Sequence, residues 1–291
     1  MTKRNLIIIL ILGIIPFIAV SQQFERDTIK LFFLGGQSNM EGHGKNSELS
    51  DSFKKEYNNV WIFQGNPMPD ENENGGLGKW DVLTPGHGAG FSSDGKNNKL
   101  SNKFGVELSF AKKLQELYPN EKIALIKYAR GGSSLDSLAA REYGSWEMDY
   151  RGTNGVNQLD HYLVMIQEAL KTRDIDENGK EDILIPWGII WMQGESDAAI
   201  TEEIAYRYYS NLKRLMDLIR ASLHKDDLAV VIGKISDSGN TKDGKVWKYG
   251  ELIQYAQERY VRTDKKAAIV RDTKYYKYSD PWHYDSDGYI D

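Results

Sequence analysis

Short apolar runs and stretches with helical spacing alternate along this chain. The runs at 28–34, 122–129, 183–192, 228–235 and 267–270 predict strands. The run at 183–192, ILIPWGIIWM, is the most hydrophobic beyond the N-terminal leader and predicts a central strand buried on both faces. Helical spacing predicts helices over 106–118 (ending before Pro119), 157–171, 198–223 and 249–263. The third of these places Tyr206, Tyr209, Leu212, Leu215, Met216 and Ile219 on its inner side. Residues 285–288, DSDG, read as the opening of one more helix, and the sequence ends at Asp291 before that helix can be completed, as in a fragment. Strands alternating with helices predict a three-layer α/β sandwich around a mainly parallel sheet of about five strands, with right-handed crossovers. No internal repeat interrupts it. Residues 64–103 are rich in Gly, Asn, Asp and Lys, too polar for a core and too long for a plain connection, and read as a functional rim or mobile segment.

A length of 291 residues, with 40% hydrophobic and 27% charged, suits one domain with a sizeable core. The N-terminus changes that picture. Lys3 and Arg4 precede an apolar run at 6–20 that closes on Ala19-Val20-Ser21. This is the pattern of a secretory signal peptide cleaved after Ser21, leaving 22–291 as a single domain. The run is short for a membrane span and Pro16 interrupts it, which disfavours a lasting anchor. The expectation is an exported protein, periplasmic or secreted. The net charge of −5 gives no general attraction to nucleic acid. With no cysteine, disulfides, thiol catalysis, cysteine-ligated zinc and a lipid-modified bacterial N-terminus are excluded.

Four predicted strands or loops end in residues that carry chemistry. They are Gly36-Gln37-Ser38-Asn39-Met40, Arg130-Gly131-Gly132-Ser133-Ser134, Gln193-Gly194-Glu195-Ser196-Asp197 and Asp280-Pro281-Trp282-His283. Open α/β sheets collect their sites at the carboxyl ends of strands, so Ser38, Gly132, Gln193 and His283 are expected on one edge. A serine hydroxyl needs a base to become a nucleophile, and His283 is the natural one. The imidazole needs an acid behind it, and Asp280 and Glu195 are the two candidates. The Ser38 and Gly132 N–H groups and the Gln193 side-chain amide are available to a developing oxyanion. Trp146, Trp282, Tyr284 and Trp80 are candidate stacking surfaces for a ligand, and Asn39 a candidate substrate contact. His43 and His87 read as rim or surface residues and His161 as a satisfied helical histidine. Asp174, Asp176, Asn178 and Gly179 match the opening of a calcium loop, yet its twelfth position is Ile185, so 174–182 reads as a solvated acidic turn. No metal or other cofactor is expected. There is no G-x-S-x-G elbow, Walker motif or dinucleotide fingerprint.

GQSNM at 36–40, GGSSL at 131–135, WMQGESD at 191–197 and DPWH at 280–283 resemble, in order and spacing, the SGNH/GDSL hydrolase superfamily. The segment FGVELSFAKKL at 104–114 adds to a match with its sialate O-acetylesterase and acetylxylan esterase branch. The resemblance implies a flavodoxin-like α/β/α fold and a metal-independent serine esterase. It implies Ser38 as nucleophile, His283 as base, and Gly132 in the oxyanion hole with Gln193 standing where the superfamily has asparagine. It leaves the acid to Asp280 first and Glu195 second. The missing C-terminal helix is a departure. The expected function is an exported carbohydrate O-acetylesterase that works through an acetyl-Ser38 intermediate on acetylxylan or O-acetyl sialic acid. A non-catalytic carbohydrate-binding protein and a sugar O-acetyltransferase are the alternatives.

Overall fold

The computed structural model describes residues 26–70, 72–152 and 155–291. Seven strands form the main sheet: β1 (Asp27–Gly36), β2 (Val60–Gln64), β3 (Trp80–Val82), β4 (Lys122–Ala129), β5 (Asp182–Met192), β6 (Ala229–Gly233) and β7 (Ala267–Val270). Their order is β7-β6-β5-β1-β4-β2-β3, parallel throughout except for the edge pair β2–β3. The helices are α1 (Ser38–Glu41), α2 (Glu107–Leu117), α3 (Gln158–Lys171), α4 (Glu202–Ser222), α5 (Gly250–Thr263) and α6 (Ser286–Ile290).

Strand β1 sits at the centre because both of its faces are apolar. Ile29, Leu31 and Phe33 point into a core closed by α3, α4 and α5 through Tyr162, Met165, Leu212, Met216 and Tyr260. Phe32 and Leu34 point the other way, into a core closed by α2 and α6 through Leu108, Ala111, Leu114 and Tyr289. This is the expected three-layer α/β/α arrangement. Register then sets the site: Gly36 at the end of β1 pairs with Ala129 of β4 and Met192 of β5. The chain therefore leaves three adjacent strands at one level, into Gln37-Ser38, Arg130-Gly132 and Gln193.

Three expectations change. The sheet has seven strands, not about five. Strand β2 is five residues buried throughout, at the edge of the polar stretch, and β3 lies inside that stretch, where the Trp80 indole N–H donates to Ala169 O at 2.9 Å. Strand β5 is buried on both faces only in its second half, from Gly188 to Met192. Ile183, Ile185 and Trp187 are 40%, 36% and 41% exposed, because α2 packs over β1, β2 and β4. On α4 it is Tyr208 that turns inward, while Tyr206 faces solvent. The opening of a last helix at 285 is present as α6, capped by the Asp285 side chain accepting from Gly288 N–H at 2.9 Å.

Candidate active site

Gly36 lets the chain turn off β1 where no other residue fits. Its φ is 152°, and a Cβ there would lie 1.9 Å from Met192 O. Gln37 N–H instead donates to that carbonyl at 2.9 Å. The Gln37 side chain crosses to β5, its Oε1 accepting from Gly194 and Ser196 N–H, both at 3.3 Å. Ser38 is thereby held at the sheet edge, buried to 6% exposure.

The loop carrying His283 is built around Asp280. One oxygen, Oδ1, accepts from the N–H groups of Trp282 and His283 at 2.7 and 2.8 Å, and Oδ2 lies 2.7 Å from His283 Nδ1. Burial pushes the Asp280 pKa up, but these hydrogen bonds outweigh it and the carboxylate lies below its ordinary value. Asn39, next to Ser38, fastens this loop down. Its Nδ2 donates to Trp282 O at 3.3 Å and its Oδ1 accepts from Tyr284 N–H at 3.4 Å, the residues on either side of His283. Asn39 Oδ1 also accepts from the Tyr289 hydroxyl at 2.9 Å. So Asn39 is a clamp with its polar atoms in use, not the substrate contact expected.

Glu195 meets the same clamp rather than the histidine. Its Oε1 accepts from Asn39 Nδ2 at 2.8 Å, and its Oε2 is buried with no partner among the described residues. Burial raises its pKa, only partly offset by the Asn39 bond.

Gly132 has φ 77°, and a Cβ there would lie 2.4 Å from the Tyr143 ring. Gly131 N–H donates to Glu41 Oε2 at 2.8 Å. Among the described residues no hydrogen bond engages the N–H of Ser38 or of Gly132. Gln193 does not join them. Its Nε2 is spent on Asp197 Oδ2 at 2.7 Å and on Gln37 Oε1 and Ser133 O, both at 3.2 Å, and the residue is fully buried. Asp197 in turn accepts from Leu135 and Asp136 N–H at 2.9 Å. Burial pushes the Asp197 carboxyl up to about 6.

The aromatic candidates separate by burial. Trp146 is a core residue, 2% exposed, packed edge-on to Tyr128 and Trp191, so it cannot stack on a ligand. Tyr284 and Trp80 are likewise buried. Trp282, 51% exposed beside His283, is the one free to do so.

Two histidines lie deeper than expected. His43 stacks on His283, ring centroids 3.8 Å apart and planes 8° from parallel, while its Nδ1 lies 3.2 Å from Lys103 Nζ. Nothing local in the sequence pairs residue 43 with 283. His87 is 1% exposed and bonded to Gln64 at 2.9 Å. His161 is a satisfied histidine, 3.3 Å from the Tyr128 hydroxyl. In the acidic turn, Asp174 accepts from Asn178 and Gly179 N–H, and the Lys122 ammonium lies on both Asp27 and Asp176, where a cation would otherwise sit.

Residues 28–291 match the family described as carbohydrate esterase, sialic acid-specific acetylesterase. The chain belongs to this family. It is thus a carboxylic ester hydrolase of the carbohydrate acetylesterase kind. Solved structures with the same fold include a protein from Arabidopsis thaliana (TM-score 0.58, 19% identity, covering 90% of this chain and 92% of that one). Another is a carbohydrate acetylesterase from Xanthomonas citri (TM-score 0.54, 17% identity, covering 89% of this chain and 53% of that one). No curated protein sequence matches the chain. The expected signal peptide lies outside the described residues. Among the described residues no helix is long and apolar enough to cross a membrane.

Proposed function

We propose that this esterase removes acetyl groups from O-acetylated glycans, acetylxylan or O-acetyl sialic acid, through an acetyl-Ser38 intermediate. The observation that carries the reading is the clamp: Asn39 bonds to both neighbours of His283, so the residue next to Ser38 holds the His283–Asp280 pair at its side. His283 Nδ1 is committed to Asp280, which leaves Nε2 to exchange protons. Nε2 takes the Ser38 hydroxyl proton as Oγ bonds to the acetyl carbon. The carbonyl oxygen becomes an oxyanion, for which the N–H groups of Ser38 and Gly132 are the unused donors. Collapse breaks the bond to the sugar oxygen, which leaves with the proton from His283. Water then repeats the sequence on acetyl-Ser38 and acetate departs. The basic, apolar leader supports export, in keeping with glycan substrates outside the cell.

The test is acetate release from acetylated xylo-oligosaccharides and from O-acetylated sialic acid, measured side by side. Ser38→Ala should lower kcat by about 10³-fold or more with the fold intact. Asp280→Asn should lower it by about 10³–10⁴-fold. Glu195→Gln should cost less than about tenfold, since it leaves the imidazole its acid. Turnover by Ser38→Ala at the wild-type rate ends the mechanism. A larger loss from Glu195→Gln than from Asp280→Asn reverses the acid.

A further inference from the structure

The turn after β4 supplies one of the two N–H groups left for the oxyanion, so its placement against Ser38 matters to the rate. Ser133 N–H donates to Arg130 O at 3.3 Å and Ser133 Oγ donates to the same carbonyl at 2.8 Å, which closes a turn over Arg130-Gly131-Gly132-Ser133. Gly132, at the third position, has φ 77°, the left-handed value that a type II turn requires there. The two central N–H groups have different fates. That of Gly132 is unengaged among the described residues, and that of Gly131 donates to Glu41 Oε2 at 2.8 Å.

Glu41 is tied to the reacting serine by its own element. Ser38 and Glu41 are the two ends of α1, where Glu41 N–H donates to Gln37 O at 2.8 Å. Glu41 O accepts from Lys127 Nζ at 3.0 Å, and Lys127 lies on β4 just before the turn. Backbone and side chain of Glu41 therefore both reach the strand and turn that carry Gly132. The approach is close: a Cβ on Gly131 would stand 3.1 Å from Glu41 Oε2 and 3.4 Å from Ser38 Cβ. Only one oxygen of the carboxylate is engaged among the described residues. Burial raises the Glu41 pKa, and the Gly131 hydrogen bond with the charges of Lys127, Arg130 and His283 offsets only part of this. A place that disfavours the charge needs an acceptor there more than an anion.

We infer that Glu41 is a positioning residue for the oxyanion hole: by accepting from Gly131 N–H it fixes the turn against α1 and so sets where Gly132 N–H stands relative to a carbonyl oxygen at Ser38. The inference rests on the acetyl-Ser38 mechanism proposed above and adds a residue to it. Acylation and deacylation each pass through an oxyanion, so the hydrogen bond acts in both halves of the reaction. A misplacement of about 1 Å is enough to lower the rate on the order of 10²-fold.

The experiment measures kcat and KM for 4-nitrophenyl acetate in the wild type, Glu41→Gln, Glu41→Asp and Glu41→Ala, with Ser38→Ala as the blank and urea midpoints to check folding. Glu41→Gln keeps an acceptor oxygen at the same reach and discards the charge, so its kcat should stay within about threefold of wild type. Glu41→Asp keeps the charge but is one methylene too short to reach Gly131. Glu41→Asp and Glu41→Ala should each lower kcat about 10²-fold while KM moves less than about threefold. Should Glu41→Ala fail to fold, the contrast between Glu41→Gln and Glu41→Asp decides alone. A Glu41→Gln enzyme as slow as Glu41→Asp or slower overturns the inference, because the charge and not the hydrogen bond then carries the effect. A loss that falls on KM instead of kcat makes Glu41 a ground-state contact and also overturns it. Wild-type kcat in Glu41→Asp and Glu41→Ala, with Ser38→Ala inactive, ends the inference and leaves the serine mechanism standing. Wild-type turnover by Ser38→Ala removes both together.

Discussion

His43 shows how much one unheralded residue can matter at the centre of a site. Its ring lies flat on His283, and a neighbouring ammonium, Lys103, approaches its Nδ1. Burial first, then the charges of His283 and Lys103, push its pKa down to about 3. Unfolded, the same histidine titrates near 6.5. As pH falls from about 6.5 towards 3, the unfolded chain binds a proton that the folded chain refuses, so stability is lost on acidification through that window. His43→Phe keeps a flat ring over His283 but has no proton to gain. Between pH 7 and pH 4 its urea midpoint should fall less than that of the wild type, with a difference on the order of 2 kcal/mol at pH 4. Parallel midpoints for the two proteins across that range refute the assignment. At this scale the sequence was readable where two groups lie close in the chain: Asp280, three residues before His283, has its Oδ2 2.7 Å from His283 Nδ1. It was not readable where one side chain could bond several ways. Gln193 and Asn39 both looked free to meet a ligand, and both turned out to be hydrogen-bonded within the protein.

Among the elements, β4 does the most to join loops that are distant in sequence. Lys127, near its end, is fully buried, and its ammonium donates to Glu107 Oε2 on α2 at 2.7 Å, to His87 O at 2.7 Å and to Glu41 O at 3.0 Å. All three donors are used, which is the condition for a buried cation to be tolerated. Glu107 keeps one further partner, accepting from Gly105 N–H at 2.9 Å. Lys127→Met leaves Glu107 as an unpaired buried carboxylate and should cost about 3–5 kcal/mol, read from the denaturant midpoint. Adding Glu107→Leu should recover much of that loss, because the uncompensated charge goes with it. A single variant as stable as the wild type refutes this account of β4. In the pattern KIALIKYA, Lys127 shares a face with Ile123, Leu125 and Ala129, and nothing local shows which carboxylate meets it there. The strands that were legible are those whose apolar run stands out from its neighbours, the four residues of β7 included. Strands β2 and β3 escaped although β2 is as long as β6 and longer than β7: β2 ends where the Gly-, Asn- and Asp-rich stretch begins, and the three residues of β3 lie inside it.

Across the whole molecule, alternation of strand-like and helical segments determined the class of fold, and the glycine-marked strand ends determined which residues face the open edge. Both are local properties, set by the spacing of apolar side chains and by the backbone freedom of glycine within a few positions. Strand order, and with it the clamp from Asn39 to both sides of His283, was decided only in three dimensions. So were the burial of Trp146 among other aromatic rings and the stack of His43 on His283. Each joins residues far apart in the chain, more than 240 positions in the case of Asn39 and Tyr284. Such contacts follow from how two layers of helices close on one sheet, and no local pattern encodes which of several polar partners a side chain meets once water is excluded.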